Sequence, residues 1–226
     1  MTTYYDTTVK CSVCGHENQF TEMGSSNSFG SPDLDLRAPG MIRMTMGCWI
    51  QECKNCHYVS HSVSSECPVP VAFIRSAEYL DCDGYAFKSE LARRFYRQHK
   101  LQLLAGNTQI AFDALLHAAW VCDDTQDKAN AKIMRELCLP LVTSLISKNE
   151  KNGDSLLLMK ADLLRRAGMF DELLAEYENV TFHDDIMNQV LRFQLLKAKE
   201  RDDACYTVKQ AVAACQSGEK DGGMKE

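Results

Sequence analysis

Cys11-Ser12-Val13-Cys14-Gly15 and Cys53-Lys54-Asn55-Cys56-His57 are the two stretches that decide how this chain is read. Each is a Cys-x-x-Cys turn, and together they supply four thiolates, the donor set of a structural zinc site. Gly15 suits the positive φ that such a turn needs after its second cysteine. His57 stands in the equivalent place, and histidine tolerates that region better than most side chains. Thirty-eight residues separate Cys14 from Cys53, about twice the 15–20 of compact four-cysteine sites. A loop from Gly24 to Gly40, rich in Gly, Ser and Pro, accounts for the excess.

Working outward, short strands are expected at Thr7–Lys10, Glu17–Met23, Met41–Gln51 and Tyr58–Val63. In the third, Ile42, Met44, Met46, Cys48 and Ile50 share one parity, the period of a half-buried strand. The economical picture is a small antiparallel sheet clipped by metal, a zinc ribbon over residues 1–67. Asp33-Leu34-Asp35-Leu36-Arg37 interrupts it as an ordered loop pinned by apolar contacts and an ion pair. Asp33, Asp35 and Arg37 are its candidate interaction residues.

After Cys67-Pro68-Val69-Pro70 the pattern changes to helical spacing, predicting helices near 70–81, 85–105, 108–123, 126–149, 154–167, 170–178, 185–201 and 203–216. Gly84, Gly106, Gly153 and Gly168 fall between them as helix-ending glycines. Asn107 and Asp154 are expected N-caps, and Asp184 and the Asp123-Asp124 pair are expected to cap helices as well. Pro140 should kink or split the fourth helix. The expectation is therefore an α+β, mainly α chain: an antiparallel β zinc ribbon (1–67), an all-α domain of helical hairpins (68–217) and a frayed tail (218–226). Leu163-Leu164-Arg165-Arg166-Ala167-Gly168-Met169-Phe170 resembles the turn of a tetratricopeptide repeat, with Leu173 where that repeat usually has Ala. Helix starts near 108, 154 and 185 do not keep its 34-residue period, so an irregular array is expected.

Composition bounds the function. The formal net charge is −6, and residues 1–67 carry four Lys/Arg against seven Asp/Glu, a poor balance for gripping phosphates. The best basic patch is Arg93, Arg94, Arg97 and Lys100, the candidate surface of an alternative, nucleic-acid-associated protein; a solvated helix face accounts for it more simply. No apolar run is long enough for a membrane span, and the N-terminus does not read as a secretory signal. With eleven cysteines, an odd number, a reduced cytoplasmic chain without disulfides is expected.

Four thiolates close the zinc coordination shell, whereas a catalytic zinc keeps a position open. Cys11, Cys14, Cys53 and Cys56 are thus expected to hold one structural Zn²⁺ per chain, and no catalytic residue is singled out. A thiol redox enzyme or metal sensor is the remaining alternative, weakened by the absence of a βαβ context around either dithiol. The partner expected is an unidentified protein or peptide.

The residues also resemble a family. Cys11–Cys14 with Gly15-His16, then Ser28-Phe29-Gly30-Ser31-Pro32-Asp33-Leu34-Asp35-Leu36-Arg37, then Trp49-Ile50-Gln51-Glu52-Cys53 through Cys56 and Tyr58, look like an uncharacterised bacterial family. It joins an N-terminal Cys-x-x-Cys/Cys-x-x-Cys ribbon to a tetratricopeptide-like helical domain. Ala118-Ala119-Trp120 and Ala161-Asp162 through Phe170-Asp171 extend the likeness. Ser12 stands where the family usually has Pro, and His57 where it has Gly; neither removes a ligand. The resemblance implies a bacterial cytoplasmic protein with a metal site at the four knuckle cysteines and implies no reaction.

Overall fold

The computed structural model describes residues 1–148 and 153–222, with side chains through 216. The chain is α+β and mainly α, as expected. It begins with strands β1 (Thr3–Lys10) and β2 (Glu17–Ser25), paired antiparallel from Lys10 opposite Glu17 outward. Strands β3 (Gln51–Glu52) and β4 (Val59–Ser60) form a second, minimal antiparallel pair, with Glu52 opposite Val59. The helices are α1 (Val71–Ile74), α2 (Ala77–Leu80), α3 (Glu90–Leu104), α4 (Thr108–Asp124), α5 (Lys128–Lys148), α6 (Gly153–Ala167), α7 (Phe170–Tyr177), α8 (Asp185–Lys199) and α9 (Val208–Gly222).

The strand expected over Met41–Gln51 is instead a 3-10 helix, Gly40–Cys48, followed by the two residues of β3. Local hydrogen bonds explain the difference. Thr45 Oγ1 donates to the Ile42 carbonyl at 2.8 Å and accepts from Trp49 Nε1 at 3.0 Å. Such side-chain bonds compete with a ladder, and Gly40 and Gly47 favour a strand poorly. Thr45 and Met46 are buried while Met44 is exposed, which breaks the parity on which the strand expectation rested. The partner strand expected over Tyr58–Val63 is limited to Val59–Ser60.

Two compact units divide the chain. One comprises Met1–Ser28 and Gly40–Leu141; the other comprises Phe29–Pro39 and the chain from Val142 on. This division does not follow the change of composition at residue 67: the knuckles share a unit with α1 to α4, and the Asp33–Arg37 loop belongs with the C-terminal helices.

In the first unit α3 and α4 pack as a hairpin around Ala92, Phe95, Leu101, Ala111, Phe112, Leu115 and Cys122, all buried. Arg135 of α5 is 1 % exposed and forms a two-pronged pair with Asp123, Nη2 to Oδ2 at 2.6 Å and Nη1 to Oδ1 at 3.2 Å. Asp123 therefore holds an arginine at the end of α4. The helix expected over 70–81 is two short helices, α1 and α2, split at Arg75 and Ser76, where Ser76 caps α2 by accepting from the Tyr79 N–H.

In the second unit α6, α7, α8 and α9 pack on one another, and Leu34 of the long loop joins Val190, Phe193 and Ala211 in their core. Arg165 lies at the centre, fully buried. It donates to Asp162 at 2.7 Å, to Gln194 at 2.9 Å and to the carbonyls of Asp202 and Ala204.

Four helix ends, those of α3, α4, α6 and α8, share one solution. Gly106, Gln126, Gly168 and Arg201 all have positive φ. In each case that residue and its successor return hydrogen bonds to the end of the preceding helix, as in Gly168 N–H to Arg165 and Met169 N–H to Leu164. Two of these caps use glycine, as expected; Gln126 and Arg201 do not. Gly153 opens α6 instead of ending a helix, so the cap expected from Asp154 is displaced into the helix's first turn. Asn107 precedes α4 without a side-chain cap and donates to Gln102 Oε1 instead. Asp184 does cap α8, accepting from the Met187 N–H at 2.9 Å. Helix α5 runs through Pro140 as one element. Helix α9 continues to Gly222, so the expected frayed tail begins no earlier than that, and its last four residues lie outside the described residues, as does Asn149. Among the described residues no helix is long and apolar enough to cross a membrane.

Arg165→Met leaves Asp162 as a buried charge without its partner. The expected loss is ~3–5 kcal/mol of stability, the usual penalty for breaking such a pair, and chemical denaturation of the full chain measures it.

Candidate metal centre

The first knuckle is the turn of the β1–β2 hairpin and the second is the turn between β3 and β4. Both fold by the same hydrogen bonds. Cys11 N–H donates to the His16 carbonyl and Gly15 N–H to the Cys11 carbonyl; Cys53 N–H donates to the Tyr58 carbonyl and His57 N–H to the Cys53 carbonyl, each at 2.9 Å. Gly15 has φ +74° and His57 φ +60°, so the histidine adopts the left-handed turn that the glycine adopts. Glu52 Oε1 lies 3.0 Å from His57 Nδ1 and holds the ring.

The two turns bring Cys11, Cys14, Cys53 and Cys56 together, with all four sulfurs within 4.8 Å of one another. Cys11 Sγ to Cys56 Sγ is 3.7 Å and Cys14 Sγ to Cys53 Sγ is 3.6 Å. A tetrahedron with zinc–sulfur arms of about 2.3 Å has edges of about 3.8 Å. The sulfurs thus stand where one tetrahedral ion would place them, and the donor chemistry fits a soft divalent metal such as Zn²⁺. Cys11 and Cys53 are buried, Cys14 and Cys56 partly so.

The surroundings act on three of the four thiols in different directions. Burial pushes the Cys11 thiol up, partly offset by the backbone N–H groups of Cys14 and Val13. Burial also pushes Cys56 up, against the Tyr58 N–H. At Cys14 burial is outweighed by the Asn55 side chain and the His16 N–H, which bring its pKa down to about 6.

Asn18, unmarked in the sequence, joins the two knuckles. It is 2 % exposed. Its Nδ2 donates to the His16 carbonyl at 3.0 Å and to Cys53 Sγ at 3.6 Å, and its Oδ1 accepts from the Lys54 N–H at 2.9 Å. One carboxamide therefore touches the first turn, the second turn and a ligand sulfur. An asparagine one residue into a strand after a knuckle carries no signal in a single sequence. Tyr79 of α2 braces the second knuckle from outside, donating to the His57 carbonyl at 2.7 Å.

The other cysteines stand apart from this cluster, and none of the eleven is in a disulfide. Cys122 and Cys138 are fully buried hydrophobes, as expected, whereas Cys48 is only partly covered.

The remaining candidate residues are placed elsewhere. Asp33, Asp35 and Arg37 are 4 %, 1 % and 2 % exposed. Asp35 accepts from the Arg37 N–H and pairs with Arg166 at 3.5 Å. The loop is ordered as expected, but these side chains face inward, and the loop residue turned outward is Leu36. Arg93, Arg94, Arg97 and Lys100 each face a carboxylate: Arg93 meets Glu90, Arg94 and Arg97 share Glu52, and Lys100 meets Asp83.

Asn18→Ala keeps all four thiols but removes the bridge between the turns. Zinc stoichiometry is expected to stay unchanged while affinity, read by competition with a chromophoric chelator, falls about 10–100-fold. Comparison with protein-family models, with curated proteins and with solved structures finds no match for this chain.

Proposed function

We propose that the four knuckle thiolates hold one structural Zn²⁺ per chain, and that the protein is a non-catalytic, cytoplasmic scaffold whose helices engage a protein or peptide. The observation that carries the metal assignment is the convergence of four sulfurs at tetrahedral spacing. The structural role follows from the donor set: four thiolates fill the coordination shell, and their total charge with Zn²⁺ is −2, which makes a weak Lewis acid.

The scaffold reading is supported by apolar side chains left open at the α3–α4 turn. Leu103, Leu104 and Ile110 are each about half exposed, and clustered exposed apolar residues mark interaction sites more often than isolated ones do. Helical hairpins commonly present such surfaces. The nucleic-acid alternative draws no comparable support: the chain's net charge is −6, and Arg97 and Lys100 of its patch are nearly covered against carboxylates.

Metal analysis of the full chain is expected to give about one zinc per chain. Cys11→Ser should lower both zinc content and thermal stability, and Cys48→Ser should change neither. If Cys11→Ser leaves metal content and folding intact, the structural-zinc assignment is wrong. For the scaffold role, Leu103→Glu with Ile110→Glu in the full chain should abolish co-purification of the partner recovered with the unmodified protein, without loss of zinc.

A further inference from the structure

Beside the second knuckle the first unit holds a cleft of about 640 Å³, within the range of small-molecule sites. It is bounded by β3 with the second knuckle, by α3, by β2 at Phe20 and by the end of the 3-10 helix at Cys48. The four ligand sulfurs do not line it.

The charges of this cleft are unusual for an acidic chain. Lys54, Arg93, Arg94 and Arg97 line it against two carboxylates, Glu52 and Glu90. Two positive charges are therefore left over, His57 apart.

The arrangement of these charges matters more than their number. Glu52 is the fixed point, its side chain 13 % exposed. It takes Arg97 Nη1 at 2.7 Å and Arg94 Nε at 2.9 Å. Arg97 is held further by the Leu80 carbonyl and is almost fully covered. Arg94 differs. Glu52 engages only its Nε, so among the described residues its two terminal nitrogens have no protein partner, and the side chain is 37 % exposed. A guanidinium anchored through Nε presents its terminal N–H groups in a fixed fork, the geometry that matches an oxyanion. The Lys54 ammonium likewise has no carboxylate among the described residues. Arg93 is tied only to Glu90, in an exposed pair within one helix turn, the weakest kind of ion pair and readily exchanged for a ligand. The half-buried Phe20 adds apolar surface to the same cleft.

We propose that this cleft binds the phosphate of a small phosphomonoester, gripped by the Arg94 fork, neutralised by Arg93 and Lys54, with the organic part against Phe20. The surplus of two charges selects a phosphomonoester over a carboxylate, because a monoester carries about −1.5 to −2 at neutral pH and a carboxylate only −1. Glu52 serves as the positioning residue. The proposal does not depend on the identity of the metal or on the scaffold role.

The test uses the full-length protein as purified, titrated calorimetrically at low salt with phenyl phosphate, inorganic phosphate and an RNA oligonucleotide lacking terminal phosphates. Phenyl phosphate is expected to bind with a Kd below about 1 mM and more tightly than inorganic phosphate. Lys54→Gln and Arg93→Gln should each weaken it about fivefold or more. Arg94→Lys, which keeps the charge and removes the fork, should weaken it comparably. Lys209→Gln in the second unit should have no effect. Zinc content and thermal unfolding, measured on every variant, show that the fold persists. No binding of phenyl phosphate, equal binding by the Lys54 and Arg93 variants, or equal weakening by Lys209→Gln overturns the proposal. Tighter binding of the RNA overturns it in favour of a nucleic-acid surface.

Discussion

Four sulfurs held within 4.8 Å of one another repel as thiolates and are poorly solvated as a partly buried group. A bound cation resolves both problems, and zinc-binding free energy in such small modules is folding free energy. The rest of the N-terminal module is built on that constraint. Two hairpin turns of the same hydrogen-bond pattern present two sulfurs each, backbone N–H groups point at the sulfurs, and one buried asparagine fixes one turn against the other. Strands β3 and β4 are only two residues long. They are too short to stand as an independent sheet, so the second knuckle leans on the bracing from Asn18 and Tyr79.

The four-cysteine cluster was legible because Cys-x-x-Cys spacing has a direct geometric meaning, and the long helices because their apolar period is sustained. What escaped has equally physical reasons. The alternation from Ile42 to Ile50 is a real pattern, but Thr45 and Trp49 satisfy one another locally and the backbone coils. Gly106 and Gly168 announce left-handed helix ends, whereas Gln126 and Arg201 adopt the same conformation with nothing in their identity to show it. Asn18 could not be distinguished from any other polar strand residue. The long loop was read as ordered, but its membership in the C-terminal unit rests on contacts with residues more than a hundred positions away, which no local pattern encodes.

Buried ion pairs recur in both units: Asp123 with Arg135 in one, Asp162 with Arg165 and Asp35 with Arg166 in the other. Such pairs contribute little net stability compared with apolar side chains of the same size, because desolvation offsets most of their attraction. Their effect is on which arrangement is tolerated: a helix shifted in register would bury a charge without its counterpart. The same logic operates at Glu52, where one carboxylate orders two arginines and a histidine at the edge of the second knuckle.

The interleaving of the two units has a consequence in time. Ser31 accepts a hydrogen bond from the Lys209 N–H, 178 residues further along the chain. At about 5–20 residues per second of synthesis, the loop waits roughly 10–35 s after emerging before its partners exist. Within that interval the second knuckle and then the α3–α4 hairpin are synthesised. The four-cysteine cluster can therefore assemble first, tying down both ends of a loop whose middle is still unplaced. A nascent chain in that state exposes Leu34, a core residue of the finished C-terminal unit, on a tethered segment.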